Sequence, residues 1–231
     1  MWGMVTEQSG GGKFTEDVRG KIRSMKNSRF GQTRIECMLG SLPYELVLMV
    51  SDCVGDKTLM DLIGRWRKKN EQWFLSQFPV STDRTAKWFL DRVIGAPDRL
   101  LFVIRAEGKF IGHVGLFRFD FDRMACELDN IVRGEPEHPG IMGDAIQSLM
   151  DWGEETLGLK CYKLKVMSNN ERAISFYGRL GFKETDRIPL LQRMGKDGME
   201  WVEVPGDNSP GIERFYAVME LSNMQVKRHN E

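Results

Sequence analysis

Three short stretches carry side chains whose types and spacing suit chemistry as well as packing. SNNERAISFYGRLGF, residues 168–182, sets Asn170, Ala173, Tyr177, Gly181 and Phe182 in one helical segment behind an apolar strand. Ala173, Phe176, Tyr177 and Leu180 recur at i, i+3, i+4 and i+7, which makes a buried stripe. Gly181 suits a left-handed C-cap, with Phe182 packing back on the helix. Packing asks neither for Asn170 at the helix entrance nor for a hydroxyl on Tyr177. A phenol with an ordinary pKa of about 10 stays protonated at neutral pH and can donate a proton or a hydrogen bond. ACELDNIV, residues 125–132, places Glu127 and Asp129 two apart on one face of an apolar strand. Carboxylates there are costly unless they handle protons or are paired, for Glu127 with a neighbour such as Arg118. His113, in GHVGLF, can face the same side of the sheet. HPGIMGDA, residues 138–145, opens a helix with Pro and Gly, and the N–H groups at a helix N-terminus make an anion site.

The elements that position these residues follow from periodicity. TRIECML and YELVLMVS read as strands, LMDLIGRWRKKNEQWF and TDRTAKWFLDRVI as helices, the second capped by Ser81 or Thr82. LLFVIRAEG, KFIGHVGLFRF and MACELDNIV are strands, the first two joined by the tight hairpin signal AEGK. GIMGDAIQSLMDWGEETLG is a helix and CYKLKVMS a strand, so residues 126–168 form a β–α–β passage with a parallel pair. FKETDRIPLLQRM and ERFYAVMEL end the chain as strands, and residues 193–212 between them read as a long loop. Residues 1–43 read as an N-terminal extension, partly disordered, with a weak helix over DVRGKIRSM that Gly20 interrupts. Residues 44–231 read as one domain. The fold class is α/β: a mixed, mostly antiparallel sheet flanked by helices.

Composition narrows the function classes. The 231 residues carry 33 basic and 33 acidic side chains, so no net charge draws the protein to nucleic acid or to an anionic membrane. RWRKKNEQWF is basic and aromatic, yet it reads as a solvated amphipathic helix with Trp66, Trp73 and Phe74 turned inward. Four dispersed cysteines and three dispersed histidines, His113, His138 and His229, have no metal-ligand spacing, and no metal is expected. With no long apolar run, the expectation is a cytoplasmic protein without a membrane partner.

The segment from Asn170 to Phe182 resembles the N-x-x-A-x-x-x-Y-x-x-x-G-F signature of the GCN5-related N-acetyltransferases (GNAT), and each signature position matches. The element order resembles that fold over roughly residues 44–221. The resemblance implies acetyl-CoA as co-substrate, lying where MACELDNIV and CYKLKVMS splay apart. It implies that Asn170 and Ala173 contact the cofactor, with Ile131 and Val132 on the splayed strand. It implies a pyrophosphate loop over His138, Gly140, Met142, Gly143 and Asp144. Here the family's Q/R-x-x-G-x-G/A motif is only partly met: Gly143 matches its last glycine, Ile141 replaces the earlier one, and His138 stands at the basic position. By the same resemblance, Tyr177 is the catalytic acid for the leaving thiolate, a backbone N–H near Ile131 polarises the thioester, and Glu127 is the base.

The acceptor is expected to be a small-molecule primary amine. WRKKNEQWF and VSTDRTAKWF resemble two branches of the family, one acting on nucleotide-linked amino sugars and one on protein N-termini, and the amino-sugar branch is favoured. Trp66, Phe74, His113 and Asp129 are the expected acceptor contacts, with Trp73 and Phe78 as further pocket aromatics. Two alternatives stay open: the protein-acetylating branch, and a degenerate acyl-CoA-binding module without turnover. A homodimer is the assembly considered.

Overall fold

The structure is a computed structural model that describes residues 10–77, 79–195, 198–206 and 211–222. These residues form nine strands: β1 (Arg34–Leu39), β2 (Leu42–Leu48), β3 (Leu100–Ala106), β4 (Lys109–Asp120), β5 (Ala125–Arg133), β6 (Cys161–Met167), β7 (Lys183–Met194), β8 (Met199–Glu203) and β9 (Ile212–Ser222). They join one sheet in the order β1-β2-β3-β4-β5-β6-β9-β7-β8. Only the β5–β6 pair is parallel. The helices are α1 (Gly10–Lys26), α2 (Lys57–Lys69), α3 (Thr82–Phe89), α4 (Ile141–Leu157) and α5 (Glu171–Arg179), and a π turn continues α3 over Leu90–Ile94. Among the described residues no helix is long and apolar enough to cross a membrane.

Local chemistry sets these boundaries. Glu107 and Gly108 both take positive φ and close the β3–β4 hairpin with two residues, as AEGK predicts. The Asp56 carboxylate accepts the Leu59 N–H to start α2, and Ser81 Oγ accepts the Arg84 N–H to start α3. β3 is apolar and almost wholly buried, which a strand covered on both faces requires.

The described part of the extension is built into this core. α1 buries Val18 and Ile22 in the main hydrophobic core, and Lys21 Nζ donates to the Thr156 carbonyl at the end of α4 (2.7 Å). The expected boundary at residue 43 falls inside the β1–β2 hairpin, where Leu39 faces Leu42. Gly20, which argued against a helix, meets no atom within 4 Å and sits on the exposed side. Burial of Val18 and Ile22 outweighs its unfavourable propensity. The long loop also holds a strand. β8 pairs with β7, and on its other edge Trp201 donates to the Leu75 carbonyl (2.7 Å) while Gln77 donates to Met199 (3.0 Å). MEWVE is short and acidic, so these long-range bonds rather than local propensity make it a strand.

The feature that shapes the sheet is at its centre. β5 and β6 pair at Ala125–Cys161, Cys126–Tyr162 and Glu127–Lys163, and their ladder ends there. On its other side β5 bulges against β4: the register passes from Gly115–Asp129 to His113–Val132. The extra residue bends the strand. Asn130 takes φ +50° in the bulge. The glycines of GHVG make room, because a Cβ on Gly112 would lie 2.3 Å from the Val132 carbonyl and one on Gly115 2.6 Å from that of Leu100. His113 holds the bulge through a 2.6 Å bond from Nδ1 to the Asn130 carbonyl. Burial lowers its pKa to about 4 against the opposing pull of that bond, so the ring is neutral and Nδ1–H is the donor.

Two tests follow from this packing. Ile22→Ala should cost about 2–5 kcal/mol in chemical denaturation, as for a core residue; an unchanged midpoint would return α1 to a loose arm. The second concerns His113, which charges near pH 6.5 in the unfolded chain and near 4 in the folded one. Stability from keeping it neutral is complete above pH 6.5 and is lost as pH falls from 6.5 to 4, by about 3 kcal/mol at most. His113→Gln should be less stable at pH 7 and lack that part of the slope, whereas equal slopes for the two proteins would remove His113 from the acid transition.

Candidate active site

Beyond Glu127 and Lys163 the parted strands open onto a cleft of about 1630 Å³. One wall is the start of α4 with α5. The other is the end of α2, the segment through Leu75–Gln77, α3 and β8. Eleven of the sequence-predicted residues line it: Tyr177, Glu127, Ile131, Val132, Gly140, Met142, Gly143, Asn170, Ala173, Phe74 and Asp129. Trp73 lines it as well, and Phe78 lies outside the described residues.

Four predicted residues do not line it. Trp66 is buried, donates through Nε1 to Glu135 (2.8 Å) and occupies the space where a Cβ on Gly134 would sit, so it is packed in the core. His113 is spent on the bulge. His138 turns towards Glu107, with Nε2 3.5 Å from the carboxylate. Asp144 accepts a 2.5 Å hydrogen bond from the Tyr44 hydroxyl, and its own N–H bonds to the Gly140 carbonyl. One turn of α4 separates Gly140 from Asp144, which carries Asp144 away from the helix mouth and onto β2.

The α4 entrance is built for a close approach of backbone. Gly140, at the N-cap, has φ +92°, a conformation L side chains rarely adopt. Gly143 faces α5, where a Cβ would meet Leu180 and Phe176 at ordinary distances of 3.6 and 3.8 Å. The shifted glycine of HPGIMG thus supplies the sharp entry into the helix. Across from it, Asn170 Oδ1 caps α5 by accepting the Ala173 N–H (3.2 Å). Asn170 therefore has a packing reason after all, and it lines the cleft while capping. Tyr177 sits between Phe176 and Phe182, and burial raises its phenol above the ordinary range, so it stays protonated.

The two carboxylates of β5 are held by arginines. Glu127 Oε2 lies 3.0 Å from Arg118 Nη1, and Asp129 Oδ2 lies 3.0 Å from Arg99 Nε. Burial raises the Glu127 pKa and Arg118 pulls against it, with burial the stronger. Both guanidiniums lie against Phe117, at 3.6 Å for Arg99 and 5.2 Å for Arg118. The sequence singled out Arg118 as a partner of Glu127 but gave no sign of Arg99, which reaches Asp129 from the loop before β3. Lys165 lines the cleft from β6, one of the two strands expected to splay, though the residue itself was not singled out; Trp201 and Tyr216 were missed because β8 and β9 reach the cleft only through sheet order. Among the described residues no group of three or more His, Cys, Asp or Glu could hold a metal ion.

Comparison with known proteins bears on this site. No protein of curated function matches the sequence. Solved structures share the fold at low identity. A probable GNAT-family acetyltransferase from Chromobacterium violaceum has a TM-score of 0.61 and 14% identity, over 87% of this chain and 93% of that one. Spermidine N-acetyltransferase from Vibrio cholerae, in complex with CoA and spermine, has a TM-score of 0.58 and 16% identity, over 78% and 96%. A dodecameric structure of the spermidine N-acetyltransferase of that organism has a TM-score of 0.55 and 17% identity, over 81% and 98%. The family model for the GNAT acetyltransferase domain matches residues 55–183, more than half of the chain and most of the cleft. The protein belongs to the GNAT acetyltransferase family, enzymes that transfer an acyl group from acyl-CoA to an amine.

Proposed function

We propose that acetyl-CoA lies in the wedge between β5 and β6 and that its acetyl group passes directly to the primary amine of a small acceptor, in the narrowest reading a nucleotide-linked amino sugar. The observation that carries this is the ladder ending at Glu127–Lys163. It leaves backbone groups of β5 unpaired beside the protonated phenol of Tyr177, in a cleft that starts at a helix N-terminus. The N–H groups of the α4 entrance, opened by Gly140 and Gly143, suit the pyrophosphate. Trp73 and Phe74 offer flat faces to a sugar or a base at the acceptor end.

In this reaction the neutral amine attacks the thioester carbonyl and forms the C–N bond. The oxyanion takes a hydrogen bond from a β5 N–H near Ile131. Collapse breaks the C–S bond, and the developing thiolate accepts a hydrogen bond from Tyr177 Oη. The proton lost by the amine leaves through water. Glu127 serves there as a held carboxylate: Arg118 takes Oε2, and Oε1 makes no hydrogen bond among the described residues. Asp129, tied to Arg99 and to the Asn130 amide, shapes the pocket rather than taking protons.

Two variants test the halves of this reading. Gly143→Val fills the gap between α4 and α5, and should weaken CoA at least about tenfold in a binding titration while the unliganded melting temperature holds; unchanged affinity would remove the α4 entrance from the cofactor site. Tyr177→Phe keeps the ring and removes the hydroxyl. In a thiol-release assay with acetyl-CoA and an amine, kcat should fall about 10-fold to 100-fold with CoA affinity unchanged. Full turnover would leave Tyr177 as a core aromatic alone.

A further inference from the structure

The charges around the acceptor end are arranged unevenly, and this selects among amines. Five of the six carboxylates that line the cleft are already neutralised: Glu127 by Arg118, Asp129 by Arg99, Glu203 by Lys165 (2.7 Å), Asp91 by Lys87 (2.7 Å) and Glu200 by Arg193 (2.8 Å). The sixth, Glu135, accepts from Trp66 Nε1 and has no cation partner among the described residues. The cations are in excess. Arg84 and Arg92 also line the cleft, and neither makes an ion pair among the described residues. The Arg84 guanidinium donates to the Pro79 carbonyl, at 3.3 Å. The two are exposed and stand on the cleft side of α3 and its π turn, four residues either side of Trp88, which lines the cleft between them. Behind this row lies Arg67, clamped by the carbonyl and hydroxyl of Ser76 and lying against the rings of Phe74 and Trp88.

Resting on the acetyl-transfer reading above, we infer that the acceptor carries an anionic group besides its amine, a phosphate or a carboxylate, and that Arg84 and Arg92 are the specificity residues that hold it. A guanidinium presents a planar fork that matches either group in two-point hydrogen bonds. A polyamine would need unpaired carboxylates spaced along the cleft. Here Glu135 is the one lining carboxylate without a cation partner among the described residues, so a polyamine would have to displace existing cations at the other five and still face the arginine row. The site therefore disfavours a polycation even though the fold is shared with spermidine acetyltransferases.

The test uses wild type, Arg84→Ala, Arg92→Ala and the double variant. Both side chains are exposed, so folding is not at stake. In the thiol-release assay with acetyl-CoA, the amines are a nucleotide-linked amino sugar, a dipeptide with a C-terminal carboxylate, neutral glucosamine and spermidine. One of the two anionic amines should have the highest kcat/KM. Its KM should rise about tenfold in each single variant with kcat kept, while glucosamine is unaffected. The phosphate and carboxylate arms tell the two sources apart. Spermidine as the best acceptor, or equal losses for glucosamine, would overturn the inference. Calorimetric titration with UDP and with glutamate, at saturating CoA, reads the same site without turnover. Binding of one of them that drops at least tenfold in the double variant supports it, and no binding, or binding that survives, rejects it. Failure of CoA itself to bind the wild type counts separately, against the acetyl-transfer reading.

Discussion

Everything in this molecule depends on two parallel strands that pair over three residues and then part. An unpaired backbone N–H or carbonyl away from water is costly, so a sheet opens at its centre only if something forces it and something else can occupy the opening. The force is local. Gly112 and Gly115 let β4 approach where side chains would collide, Asn130 takes a left-handed turn, and a neutral buried His113 ties the turn down. The opening then brings together, in one cleft, α4 and α5 on one side and α2, α3 and β8 on the other. No side chain in the cleft creates the site by itself; the register of β4 against β5 does.

Several residues serve packing and chemistry at once. Asn170 caps α5 and lines the cleft; Tyr177 is wedged between Phe176 and Phe182 and presents the only hydroxyl of that helix stripe. Such double use explains why the signature is readable at all. A cap, a stripe and a left-handed Gly181 leave strong local marks, and the residues proposed for the reaction ride on them. It also explains why some predicted residues do not line the cleft. Trp66 and Asp144 have the residue types of a site and the right neighbours in sequence, but a helix turn of about 100° per residue decides which of them faces the cleft, and Gly134 and Tyr44 claim these two from the other side.

The strand and helix order was legible because apolar runs of period two and of period three to four alternate cleanly along residues 34–194, and because turns such as Glu107–Gly108 are written in local residue types. What was not legible is what distance in sequence hides. α1 is a helix because Val18 and Ile22 find a core contributed by residues far along the chain. β8 is a strand because Leu75 and Gln77 complete its outer edge. Asp129 is a paired carboxylate because Arg99 arrives from thirty residues earlier. In each case the sequence supplied one partner and the fold supplied the other.

The burial of Tyr177 also constrains how the proposed reaction ends. A phenol raised above its ordinary value of about 10 is a weaker acid than a free thiol, whose pKa is about 8.5. Complete transfer of its proton to a CoA thiolate is therefore uphill. What a buried phenol does well is stay neutral and donate a hydrogen bond that strengthens as negative charge gathers on sulfur. The proton that finally neutralises the thiolate is then the one released by the amine, relayed through water on the Glu127 side of the cleft. Arg118 fits that division of labour: it keeps Glu127 in place, while burial, the stronger effect, raises the carboxyl's pKa and helps it take up a proton on the way, and Arg118 limits that rise so the proton can be passed on. The acid and the base of the reaction are in this view two ends of one relay, and the bulge at Asn130 keeps both ends on the same opening in the sheet.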